Sequence, residues 1–81
     1  MIIAVKLFAA VKQLAGREIV EVDIPDGGTV HDLRAALTQS FPDLGKILPH
    51  THIAVDQQYA AADQTLHADS EVACIPPVSG G

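Results

Sequence analysis

The chain has 81 residues, 48% of them apolar, which is enough for one domain with one core and too little for two. Ten aspartates and glutamates against five lysines and arginines leave a net charge of −5, which opposes phosphate backbones and sets nucleic-acid binding aside. A single cysteine, Cys74, excludes an internal disulfide framework and a multi-cysteine zinc site. No apolar run approaches the roughly 18 residues of a membrane span, and residues 1–5 are too short for a signal-peptide core. A reduced, cytoplasmic protein with no membrane partner is the expectation. The mean hydropathy of +0.25 is high for so short a chain and leaves apolar surface to spare for a protein partner.

Residues 2–8 are apolar and β-branched and read as a buried strand. Residues 9–14 favour a helical turn or two, stopped at Gly16. Residues 17–24 form the clearest strand, with Val20, Val22 and Ile24 on one side and Glu21 and Asp23 on the other. Pro25-Asp26-Gly27-Gly28 is a turn. Thr29 is placed to cap a helix, with Asp32 three residues on as a variant capping box. Val30, Leu33, Ala36 and Leu37 follow at helical spacing, and Phe41-Pro42 closes that helix. Residues 43–48 allow another short helical turn. Residues 52–56 read as a short strand, 57–59 as its return, and 71–75 as the last strand, halted by Pro76-Pro77.

One substantial amphipathic helix and four or five strands make an α+β two-layer sandwich, with the helix on one sheet face only. The last strand is apolar on both sides, Val72 and Cys74 on one and Ala73 and Ile75 on the other. One set packs under the helix. The other is either a docking surface or the core of a central strand, and the pattern alone does not choose.

The segment Pro76-Pro77-Val78-Ser79-Gly80-Gly81 carries the most information. Two prolines fix φ and favour an extended course, while two terminal glycines give the slimmest possible cross-section. Six residues reach about 20 Å when extended. A stiff root, a thin tip and a terminal carboxylate suit threading into another protein's active site. A frayed terminus is the competing reading. The chain thus divides into a folded domain over 1–75 and an extended tail over 76–81.

Three segments then resemble one family, the small, sulfur-carrier subunits of molybdopterin synthase, which are ubiquitin-like β-grasp proteins. They are the stretch from Leu7 to Gly16 with its Phe8-Ala9 pair, Thr29-Val30-His31-Asp32-Leu33-Arg34, and the closing run from Ser70 to Gly81. The last is the most specific. The resemblance implies a β-grasp fold, with a mixed four- or five-stranded sheet and one main helix on it. It also implies that Gly81 is adenylated by an activating enzyme of the ubiquitin-activating type, which uses ATP. Sulfur from a separate donor protein would then give a C-terminal thiocarboxylate, for delivery to a pterin precursor in the large synthase subunit. Gly81 would carry the acyl group, with Gly80 providing clearance. Ser79, Val78, Pro77 and Pro76 would set the reach, and Ile75, Phe8 and Tyr59 would form an apolar docking patch. Two small chains on a dimer of large ones is the implied assembly, with no cofactor bound by the small chain and the acid–base chemistry in the large one.

Other chemistry is poorly supported. His31, His50, His52 and His67 match no zinc spacing. Asp26-Gly27-Gly28-Thr29 lacks the lysine and the glycine spacing of a phosphate loop. No two carboxylates are spaced as a general acid and base, so a self-contained enzyme is not expected. Cys74 reads as a small buried hydrophobe rather than a nucleophile. Carriers for thiamine or cysteine synthesis, and a ubiquitin-like modifier or binding module, remain as alternatives.

Overall fold

The alternation of apolar and polar residues along the chain builds one sheet with a single covered face. The computed structural model, which describes residues 1–77, orders the elements as β1 (Ile2–Leu7), α1 (Ala9–Ala15), β2 (Ile19–Asp23), α2 (Val30–Ser40), β3 (His52–Val55), β4 (Gln58–Tyr59) and β5 (Val72–Ile75). Two 3-10 turns, Pro42–Leu44 and Leu48–His50, connect α2 to β3. The five strands lie in the order β2-β1-β5-β3-β4. β1 runs parallel to β5 and antiparallel to β2, while β3 runs antiparallel to both β5 and β4. The sheet is therefore mixed, and the last strand of the chain is its central one.

β2 alternates as expected, with Val20 and Val22 buried and Ile19, Glu21 and Asp23 exposed. β1 corrects its expectation of a buried strand. Ile3, Val5 and Leu7 are fully covered, but Ile2 is 54% exposed and Ala4 and Lys6 face outward with it. The reason is the sandwich itself: with helices on one side only, an apolar run can be half uncovered.

The expectation of one main helix is also extended, because α1 is a real if short helix beside the longer α2. α1 buries only Val11 and ends at Gly16, which takes a left-handed φ of 71° and donates its N–H to the Lys12 carbonyl at 2.9 Å. α2 opens on the expected cap. The Thr29 N–H donates to Asp32 Oδ2 at 2.9 Å, and the Asp32 N–H donates back to Thr29 Oγ1 at 3.4 Å. Val30, Leu33 and Leu37 form its buried stripe. Helical geometry stops at Phe41, ahead of Pro42, and the single turn expected over 43–48 is instead two proline-containing 3-10 turns.

The segment between β4 and β5 has no helix or strand, yet it is tied down by backbone bonds. Val30 and His31 donate their N–H groups to the carbonyls of Gln64 and Ala62 at 3.0 and 2.9 Å. Leu66 donates to the Gly28 carbonyl at 2.8 Å and places its side chain in the core. These bonds satisfy two of the orphan donors at the start of α2. Gly28 is required there, since a Cβ would meet the Pro25 carbonyl oxygen at 2.8 Å.

The Met1 amine donates to the Asp23 carboxylate at 3.0 Å and to the Ile24 carbonyl, with Asp26 at 3.5 Å. Its pKa is raised, chiefly by the hydrogen bond to Asp23 and against a smaller desolvation effect. A raised amine pKa contributes stability that is complete below the ordinary value of 8.0 and disappears as pH climbs through the folded-state value. Thermal melts between neutral and alkaline pH will show this loss, and an N-terminally acetylated chain will lack that component. The effect is small, because the carboxylates are exposed.

Candidate functional site

The chain leaves the sheet from its middle. β5 is held on one side by β1, with Leu7 opposite Cys74, and on the other by β3, with His52 opposite Ile75. The Phe8 N–H extends the first ladder by donating to the Cys74 carbonyl at 3.3 Å. Pro76 and Pro77 follow outside any strand; neither has an N–H to continue pairing, so the ladder must end there. Pro76 is half-buried and Pro77 exposed. Val78, Ser79, Gly80 and Gly81 lie outside the described residues, so their assigned roles stay on the resemblance.

On the uncovered face, the residues beside this exit form a band. Phe8 is 40% exposed, Tyr59 is 66% exposed and Ile75 is half-buried. Phe8 and Ile75 share a shallow cleft of about 200 Å³ with Lys6, Ala54 and Ala73. The Lys6 ammonium sits 5.4 Å from the centre of the Phe8 ring, a cation–π distance. Tyr59 stands beyond Ala54 on β4, and its ring stacks on His52 with centroids 4.7 Å apart and planes 8° from parallel. His52 pairs with Ile75 and so joins Tyr59 to the other two.

The band thus runs from Phe8, just past the end of β1, across three strands as Ile75, His52 and Tyr59. His52 was absent from the expected patch. Its signal was the alternation in His52-Ile53-Ala54-Val55, which puts the histidine opposite the core residue Ile53. The two readings of β5 are also separated: Val72 and Cys74 are buried, while Ala73 and Ile75 are partly open on the uncovered face. Ala73 and Ile75 are therefore half-buried surface on the uncovered face rather than a second fully covered core. A larger groove of about 520 Å³ lies nearby, where Ala10, Leu14, Ile47 and His50 meet Pro76 and Pro77.

Cys74 has no exposed surface. Burial pushes its thiol pKa up, and the neighbouring Thr51 side chain and the Arg34 charge pull it only partly back. A thiol held protonated and out of solvent is a poor nucleophile. Cys74→Ala should leave any sulfur chemistry at normal rate and lower stability by about 1 kcal/mol, through a small cavity; turnover and denaturant melts check the two parts. Among the described residues no three histidine, cysteine or acidic side chains come together as a metal site. Asp26 to Thr29 act as a turn and helix cap, with Thr29 and Asp32 bonded to each other. No helix among the described residues is long and apolar enough to cross a membrane.

Comparison with known proteins agrees with this geometry. Residues 5–81 match the model of the ThiS family. The chain is 38% identical to the molybdopterin synthase sulfur carrier subunit of Dictyostelium discoideum, covering 93% of this chain and 91% of that one. It is 34% identical to small archaeal modifier protein 1 of Haloferax volcanii, over 94% and 97% of the two chains. The crystal structure of SAMP1 from Haloferax volcanii superposes with a TM-score of 0.88 at 31% identity, covering all of both chains. The ubiquitin-like β-grasp architecture is thereby established for this chain.

Proposed function

Because the chain belongs to the ThiS family, we propose that it is a sulfur carrier whose C-terminal Gly81 bears the sulfur as a thiocarboxylate during molybdenum cofactor synthesis. A Gly81 carboxylate oxygen attacks the α-phosphorus of ATP on an activating enzyme, and pyrophosphate leaves. Sulfide released by a donor protein then attacks the acyl carbon, and AMP departs as the thiocarboxylate forms. The carboxylate alone is a poor electrophile, and sulfur is the better nucleophile for the onward step. The tail next enters the large subunit of a molybdopterin synthase, where its sulfur bonds to the pterin precursor and water cleaves the acyl–sulfur bond, restoring the Gly81 carboxylate. The folded body supplies position, and the acid–base groups belong to the large subunit. The chain binds no cofactor itself; ATP is used by the activating enzyme.

One observation carries the reading: the tail exits a central, doubly paired strand directly beside an uncovered apolar band. Such a root fixes where Pro76 and Pro77 leave the sheet while the band docks a partner, which suits tethered delivery. The 38% identity to a named sulfur carrier subunit supports it, and that name places the relative in an enzyme of more than one subunit.

Similarity to small archaeal modifier protein 1 favours a second reading, in which activated Gly81 is joined to lysines of other proteins. Both begin with acyl adenylate. Intact-mass measurement after incubation with the activating enzyme, ATP and a sulfur donor separates them. A gain equal to exchange of one oxygen for sulfur supports the carrier; a ladder of isopeptide-linked products supports the modifier. Absence of both overturns activation at Gly81.

A further inference from the structure

Thr51 stands at the edge of the fold where the tail begins. Its neighbour His52 pairs with Ile75, so the same register carried one step further sets Thr51 abreast of Pro76. No strand supports it there. β4 pairs only with Ala54 and Val55, and the β5 ladder ends at His52. Thr51 is nevertheless buried, and its polar groups must be satisfied without a sheet partner.

The residue that supplies them is Arg34, on α2. Its Nη1 donates to the Leu48 carbonyl at 2.7 Å and to Thr51 Oγ1 at 3.1 Å. Its Nη2 donates to the Thr51 carbonyl at 2.8 Å. Thr51 Oγ1 in turn donates to the Leu48 carbonyl at 2.7 Å, and its N–H reaches the same oxygen at 3.0 Å. Among the described residues no carboxylate forms a salt bridge with Arg34, so its charge is spent on carbonyl and hydroxyl oxygens. This use needs the rigid fork of a guanidinium; an ammonium offers its donors from one point. The contact spans 14 to 17 residues of sequence and ties the main helix to the sheet beside the tail's root.

We infer that Arg34 is a positioning residue for the C-terminal tail: its fork holds Thr51 and the start of β3, the rail along which Ile75 and Pro76 are aligned. The inference rests on the sulfur-carrier reading for its consequence, but not for its geometry. With the fork removed, the β3–β5 end opens locally, and Ile75 and Pro76 are no longer held against β3. Phe8 keeps its place, whereas Ile75, its pair His52 and the Tyr59 stacked on it lose theirs, so a partner enzyme is held less well and Gly81 is delivered less often.

Two measurements on the full chain test this, with Arg34→Gln and Arg34→Lys. Cys74 sits beneath this junction and is the only thiol, so its labelling by iodoacetamide reports opening. Both variants should label about tenfold faster than the parent in the absence of denaturant, with little change as dilute denaturant is added. In thiocarboxylate formation with the activating enzyme, ATP and sulfide, both should lower kcat/KM for the carrier about tenfold. Restoration by lysine, parental labelling, an unchanged kcat/KM, or labelling that follows global unfolding would each overturn the role. If the parent chain itself forms no thiocarboxylate, the carrier reading fails and the tail role goes with it. Normal parental turnover with unaltered variants removes Arg34 alone.

Discussion

A chain lacking Gly81, or carrying one alanine beyond it, should melt like the parent and yet form no transferable sulfur. Neither change touches a residue of the core, so denaturant and thermal stability should stay within about 0.5 kcal/mol of the parent. Shortening by one residue draws the acyl carbon back by roughly 3.4 Å, whereas an added alanine carries it beyond and introduces a Cβ at the tip. Displacement of even about 1 Å at a reacting centre can cost on the order of 100-fold in rate. Displacement by a whole residue should therefore leave turnover at background. Intact mass reads the first half-reaction and product formation reads the second. Normal cofactor synthesis by the alanine-extended chain would end the carrier reading.

The parts of this molecule visible in its sequence are those whose cause is local. The Thr29–Asp32 box, the Val30, Leu33 and Leu37 stripe, and the alternation of β2 each depend on neighbours within about one or two turns or pleats. Gly16 could be read as a helix stop for the same reason, and it does adopt the left-handed conformation. The turn Asp56-Gln57, with φ of 52° and 72°, was less legible because it lacks the usual glycine. There the Asp56 side chain accepts from the Glu71 N–H at 3.0 Å, a bond across 15 residues.

What stayed hidden depends on distant partners. Ile2 and Leu66 are both aliphatic, but one faces solvent and the other is 1% exposed. Nothing near Leu66 in the chain announces that its backbone pairs with Gly28. The candidate site divides in the same way. Phe8 and the prolines were recognisable in familiar motifs and Ile75 in the two-sided apolar pattern of the last strand, whereas His52 and Arg34 acquire their positions only when β3 is laid against β5 and α2. A pattern records which face a residue takes; it does not record which strand lies alongside.

The division of the sheet into a covered and an uncovered face makes a second large effect predictable, and it concerns two residues of similar size. Leu33 lies on α2 with no exposed surface, among the side chains that join the helix to the sheet. Leu33→Ala leaves a cavity there and should cost about 3 kcal/mol, lowering the melting temperature by roughly 12–24 °C for a domain of this size. That is a large part of the roughly 5–15 kcal/mol that holds a domain folded. Ile75 is half-buried on the opposite face, beside Phe8 and the tail's root. Ile75→Asp sets a carboxylate where water can still reach it, so the stability cost should be about 1 kcal/mol. In a complex the same carboxylate would be trapped in an apolar contact without a partner charge. Loss of affinity for the large subunit should then be at least 2 kcal/mol, or roughly 30-fold. Melting curves and titration of the large subunit separate the two variants. An unfolded Ile75→Asp chain would make β5 core on both sides, and a folded one that binds normally would move the docking surface elsewhere.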